Sequence, residues 1–179
     1  MSDIKCLESK VVYQNKWMTV REDAIERASG ARGIYGVVDK PDCVAIIAVS
    51  NGMIHLVEQY RYTIQQRCWE IPQGSWESTP DADPVELAKG ELREETGLIA
   101  GEMTYLGPQF IAYGFLNQTC HMFFATDLSH VGNQLDNEEE DLITHSFSLE
   151  SFESMILNGE IKDTLTISAY GMAKLKGLL

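Results

Sequence analysis

The chain has 179 residues, 44% hydrophobic and 23% charged, enough apolar material for one ordinary domain with a small appendage. Its formal net charge of −13, from 14 Lys+Arg against 27 Asp+Glu, leaves no basic footprint for nucleic-acid phosphates and is repelled by anionic membrane surfaces. A phosphorylated small molecule stays open as a ligand, provided divalent cations or a few placed arginines screen the charge. Cys6, Cys43, Cys68 and Cys120 form no C-x-x-C pair, so reduced thiols are expected rather than zinc ligation or a disulfide framework. The N-terminus lacks the basic-then-apolar order of a signal peptide, and no apolar run approaches a membrane span. The expected location is the cytoplasm.

In chain order, residues 9–38 read as strands around a turn at Ser29-Gly30, a small antiparallel unit. Pro41 punctuates. CVAIIAVS (43–50) is a nearly continuous apolar run, as in a strand buried on both faces, and Asn51-Gly52 turns it into MIHLVEQYR (53–61). CWEIP (68–72) is a short strand stopped by Pro72, and 73–84 is a polar segment too irregular to form an element. Asp83-Pro84 then gives a helix start, N-cap followed by proline at the first position, with Gly97 as the stop. Val85, Ala88 and Leu92 recur at helical spacing and are expected in the core. Strands follow at 103–107, 119–127 and 142–148, an acidic loop at 133–141, and helices over 149–161 and 163–178. Phe152, Met155 and Ile156 line the first of these helices, and Leu165, Ala169, Met172 and Leu175 the second. The class is α+β, with helices packed on a mixed or mostly antiparallel sheet.

GELREETGL (90–98) places Glu91, Glu94 and Glu95 at i, i+3 and i+4, neighbours on one helix face, with Leu92 toward the opposite, buried side. Two readings are open: a solvated charged face, or carboxylates gathered for a cation. Like charges so placed repel, and a hard divalent ion reverses that penalty while letting an acidic surface accept a pyrophosphate.

The stretch QGSWESTPDADPVELAKGELREETGL resembles the Nudix box, G-x5-E-x7-R-E-U-x-E-E-x-G-U with U aliphatic. Glu91, Leu92, Glu94, Glu95, Gly97 and Leu98 fill its second half. WEIPQG before the box, NEEED after it and NGEIKDTLTISAYGMAKL near the end resemble the ADP-sugar pyrophosphatase branch. The resemblance implies a Nudix fold, a mixed sheet sandwiched by helices, over 41–179, preceded by a strand unit over 1–40 that serves dimerisation. It also implies Mg²⁺ (or Mn²⁺) held by Glu91 and Glu95, assisted by Glu94 and the main-chain carbonyl of Gln73. The activity implied is hydrolysis of a nucleoside diphosphate linked to another moiety, such as ADP-ribose or GDP-mannose, by a homodimer. A general base is expected from the later acidic loop, Glu140 first and Glu138 second, the other reading being a plain solvated turn.

Further candidates flank the box. Arg61 and Arg67 stand around a short loop and are read as phosphate contacts or as surface arginines. Glu70 lies beside the predicted site, and Tyr113 is read either as a base-stacking ring or as core. The box departs from the family pattern in its first half. The arginine position is Gly90, the opening glycine position is Trp76 with Gly74 the nearest glycine, and the first glutamate position is Ala82. Lys89, one position off, points about 100° away, and Arg93, i−1 to Glu94 and i+2 to Glu91, faces neither directly. A non-catalytic nucleotide sensor on the same scaffold is therefore the alternative function.

Overall fold

The computed structural model describes residues 3–76, 79, 82–132 and 141–179. Strands β1 (Ile4–Gln14), β2 (Thr19–Arg27) and β3 (Arg32–Asp39) form an antiparallel sheet in that order. The β2–β3 turn is the expected one: Gly30 takes a positive φ and donates to the Arg27 carbonyl at 2.8 Å. Every residue of β1 is exposed, including Ile4, Leu7, Val11, Val12 and Tyr13. A clasp fixes this sheet to the rest of the chain. Val38 donates to the Phe115 carbonyl at 2.7 Å, Tyr35 Oη to the Gly114 carbonyl at 2.8 Å, and Asn117 Nδ2 to Asp39 at 2.8 Å.

The second sheet is built from β4 (Cys43–Ser50), β5 (Met53–Arg61), β6 (Gln66–Glu70), β7 (Gln73–Gly74), β8 (Leu98–Phe110), β9 (Thr119–His130) and β10 (Ile143–Ser148). Its order is β10-β5-β4-β9-β8, with β6 paired to β5 and β7 to β4. Only β4 and β9 run parallel among these pairs, so the sheet is mixed. The Asn51-Gly52 hairpin forms with both residues at positive φ, the type I′ geometry those residue types favour.

Side chains of β4 alternate between two cores. Val44, Ile46 and Ala48 pack beneath α1 (Pro84–Thr96) with Leu87, Ala88, Leu92 and Phe123. Cys43, Ala45 and Ile47 pack on the opposite face, with Phe152 and Met155 of α2 (Leu149–Leu157) and Ala169, Tyr170 and Ala173 of α3 (Thr164–Leu175). Helices thus cover both faces of the sheet, which is why β4 is apolar at nearly every position.

Several expectations need correction. The segment after Pro72 does contain an element, β7, whose two residues pair with Val44 and Ala45. In α1 the buried residues are Leu87, Ala88, Glu91, Leu92, Glu95 and Thr96, while Val85 is exposed. Leu92 is therefore beside Glu91 on one buried stripe, not opposite it. Strands β8 and β9 run longer than expected because they pair along almost their whole length. The last two helices are shorter: Asn158 caps α2 ahead of Gly159 at positive φ, and Leu175 ends α3 exposed. Glu138 and Glu140 lie outside the described residues. No helix among the described residues is long and apolar enough to cross a membrane.

Candidate active site

The helix that carries the glutamates is fixed at both ends by local chemistry. Asp83 accepts from the Val85 N–H at 2.8 Å, Pro84 takes the first turn where no donor is needed, and Gly97 closes the helix in the left-handed region. Between these stops the periodicity turns Glu91 and Glu95 into the protein. Glu91 is 5% exposed and Glu95 fully buried, while Glu94 is half-buried. The solvated-face reading does not hold for Glu91 and Glu95.

The chain leaving β6 runs along this helix in the reverse direction. Pro72 ends β6 and offers its carbonyl to the Ile46 N–H at 2.9 Å, which draws the following residues against β4. The Gln73 N–H then donates to Glu95 Oε2 at 3.1 Å. Gly74 lies so close to Glu91 that a Cβ there would overlap the carboxylate, 2.6 Å from Oε1. Two residues on, the Trp76 indole lies against the Cα of Gly90, and a methyl there would stand 2.9 Å from Cη2 and closer to Cζ2. Glycine inside a helix costs about 1 kcal/mol against alanine. Here the missing side chain makes room for the ring.

Glu70, at the end of β6, extends the acidic set inward and is also buried. Its Oε2 accepts from Gln73 Nε2 at 2.8 Å and from Arg61 Nε at 3.3 Å, and Arg61 Nη2 stands 2.6 Å from Oε1. Burial pushes the Glu70 carboxyl above its ordinary pKa, against the pull of Arg61. Burial works against the Arg61 charge, yet Glu70, with Glu95 and Asp163 beyond it, holds that guanidinium above its ordinary value. Asp163 caps α3, accepting from Thr166 N and Oγ1 at 2.7 Å each, and Thr166 Oγ1 accepts from the Ile71 N–H at 3.0 Å. The start of α3 is thereby stitched to the strand end that carries Glu70.

Of the residues singled out from sequence, the fold brings Arg61, Glu70, Gln73, Glu91 and Glu95 together. Arg67 is engaged elsewhere, bonding Glu58 Oε2 at 2.8 Å and Asp141 Oδ2 at 2.7 Å. It also donates to the carbonyls of both residues. It ties Asp141, the last residue of the acidic run, to the β5–β6 hairpin. Tyr113 sits on the clasp segment with 82% of its surface exposed, so it is not core. Sequence reasoning missed two contributors. Asp163-Thr164 carried an ordinary N-cap signal, but its link to Glu70 through Thr166 and Ile71 is tertiary. Trp76 had been visible only as a departure from the box.

Among the described residues, no three or more His, Cys, Asp or Glu side chains converge on one metal position. The donor chemistry nevertheless suits a hard divalent cation. Glu91 and Glu95 are carboxylates held out of water on one face, and the buried Oε1 of Gln73, whose Nε2 donates to Glu70, has no hydrogen-bond partner among the described residues.

Residues 39–165 match the NUDIX domain, and residues 4–38 match the nucleoside diphosphate sugar hydrolase N-terminal domain. An ADP-ribose pyrophosphatase of Mycobacterium tuberculosis is 30% identical over 93% of this chain and 81% of its own. An ADP-ribose pyrophosphatase of Bacillus subtilis is 27% identical over 98% of this chain and 95% of its own. A methanol dehydrogenase activator of Bacillus methanolicus is 28% identical over the same shares. A crystal structure of an ADP compounds hydrolase superposes with a TM-score of 0.87 at 21% identity, covering 99% of this chain and 97% of its own. The N-terminal three-stranded sheet and the mixed sheet between helices are those of the Nudix fold, and the chain belongs to the Nudix hydrolase family.

Proposed function

We propose that this protein is a Mg²⁺-dependent pyrophosphohydrolase that cleaves the diphosphate of ADP-ribose or another nucleotide sugar. The observation that carries the proposal is the pair of buried carboxylates, Glu91 and Glu95, drawn against the Gln73-Gly74 backbone with Arg61 acting on Glu95. Two like charges held out of water on one helix face are costly unless positive charge joins them. Arg61 brings such charge to Glu95. The names of two relatives, both ADP-ribose pyrophosphatases, support the substrate class.

On this reading Glu91 and Glu95, with Glu94 and the main-chain carbonyl of Gln73, hold Mg²⁺ or Mn²⁺. A cation so bound supplies polarisation of the diphosphate and acidification of a water. Arg61 orients a phosphate from beside Glu70, while Arg67, held by Glu58 and Asp141, ties down the neighbouring hairpin. Glu140, with Glu138 second, takes the proton from the attacking water. The new P–O bond replaces the bridging one, giving two phosphomonoesters. Tyr113, exposed on the clasp, stacks on the base. We assign the work to the cytoplasm, in keeping with four free cysteines.

We further propose that residues 1–40 form a dimerisation unit and that the active species is a homodimer. The support is β1, exposed along its full length and carrying five large apolar side chains. A strand with both faces in water is a poor resting state for such residues.

The test is a phosphate-coupled assay with Mg²⁺ over a panel including ADP-ribose and GDP-mannose. Turnover of at least one nucleotide sugar is expected. Tight binding of one member with no turnover of any would favour a nucleotide sensor instead.

A further inference from the structure

We infer that Trp76 is a positioning residue for the acidic set. Its indole, seated on the bare Cα of Gly90, fixes the rotation of α1 and so the direction of Glu91 and Glu94. This rests on the metal-dependent hydrolase reading and goes beyond it, because Trp76 touches neither phosphate nor cation in that reading.

The chain from 73 to 76 meets α1 at three successive rungs: Gln73 N–H on Glu95, Gly74 on the Glu91 carboxylate, and the Trp76 ring on Gly90. The first two rungs hold the acids directly. The third meets the helix at the bare Gly90 and at its apolar side, not at an acid. Gly90 immediately precedes Glu91 and lies one turn before Glu94 on the same helix face, so a shift of the helix at this point re-aims both acids.

Trp76 packs against the core cluster that contains Leu87, Ala88 and Leu92. It also borders a cavity of about 260 Å³ with Asp42, Cys43, Leu87 and His121. Room beside the ring lets helix and ring move apart together without unfolding. A methyl at position 90 therefore shifts ring against helix, and the acids take the consequence.

The atoms in conflict are specific. The methyl of Gly90→Ala meets Cζ2 and Cη2, which belong to the six-membered ring of the indole. A phenylalanine at 76 lacks that reach, so Trp76→Phe should relieve Gly90→Ala. Simple loss of packing would instead make the double variant worse than either single one.

The experiment measures Mn²⁺ binding by titration calorimetry for the wild type, Gly90→Ala, Trp76→Phe, the double variant and Glu95→Gln. Circular dichroism and thermal melting run alongside to confirm folding. Gly90→Ala is expected to weaken Mn²⁺ about tenfold, the usual scale for losing a partner that orients a ligand. The double variant is expected to recover to the level of Trp76→Phe alone. In the wild type, Mg²⁺ titration should also change tryptophan emission, and Trp76→Phe should lose that change. Wild-type Mn²⁺ affinity in Gly90→Ala and Trp76→Phe, with binding abolished in Glu95→Gln, overturns the inference and leaves the metal reading standing. Undiminished binding in Glu95→Gln removes the metal reading and this inference with it. Should Gly90→Ala not fold, Trp76→Phe decides alone: weakened Mn²⁺ and lost emission change support the inference, and wild-type affinity overturns it.

Discussion

Gln73 donates its backbone N–H to Glu95 Oε2 at 3.1 Å, across 22 residues of sequence. A fully buried carboxylate is thus held by main chain that two residues of β-pairing, Gln73 with Ala45 and Gly74 with Val44, fix in turn to the central strand. The acid cannot be reoriented without disturbing the sheet, a useful property in a group that must keep its aim. Glu95→Gln preserves the accepting oxygen and removes the charge. We predict that this variant folds, with a melting temperature near or above that of the wild type. Its turnover should fall by about a hundredfold or more, the scale of losing a cation's contribution of several kcal/mol. Near-normal turnover would refute the ligand assignment.

Gly74 is the neighbouring case, and the reason for glycine there is space rather than backbone angle. A methyl would overlap the Glu91 carboxylate. Gly74→Ala should lower stability by about 1–3 kcal/mol, as overpacking of a tight site does. It should also lower kcat/KM disproportionately, since the side chain displaced is Glu91. Denaturant melts and steady-state kinetics on the same sample would separate the two effects.

How much of this was legible in the chain follows from which interactions are local. The α1 boundaries were readable because capping is decided within four residues: Asp83, Pro84 and Gly97 each act on their own turn. The Asn51-Gly52 hairpin and the continuous burial of β4 were readable for the same kind of reason. The phase of the buried stripe was not. Val85 and Leu87 are both apolar near the helix start, and only the sheet decides that Leu87 faces inward. The stripe also includes two glutamates, which a hydrophobic count assigns to water. Gly90 read as a defect because its partner, Trp76, lies across a loop. The reciprocal change, tryptophan where the pattern has glycine and glycine where it has arginine, becomes intelligible only when the ring and the helix are seen in contact.

The α2–α3 contact gives a pH prediction independent of the acidic set. Glu153 accepts from Tyr170 Oη and pairs with Lys174 Nζ at 2.9 Å. The Tyr170 hydrogen bond, then Lys174, holds the Glu153 carboxyl below its ordinary range. A depressed folded pKa contributes stability above the unfolded carboxylate pKa of about 4.3, and that stability is lost as pH falls through the folded value. Glu153→Gln should therefore flatten the acid limb by lowering stability in the neutral region, and leave the most acid region nearly unchanged. Melting temperatures across the acid range would check this, and an unaltered acid limb would contradict it.

The exposed β1 predicts an oligomer. Light scattering should give a mass of two chains, and removal of residues 1–38 should give a monomer without activity. A truncated monomer with full turnover would show that the N-terminal sheet contributes nothing to catalysis.

The most direct measurement is hydrolysis of ADP-ribose in ¹⁸O-water with Mg²⁺, the products read by mass spectrometry. The expected products are AMP and ribose 5-phosphate, with one ¹⁸O in one of the two, and chelation should abolish both. Intact substrate across the nucleotide-sugar panel with either Mg²⁺ or Mn²⁺, or cleavage that chelation leaves unchanged, would contradict the proposed function.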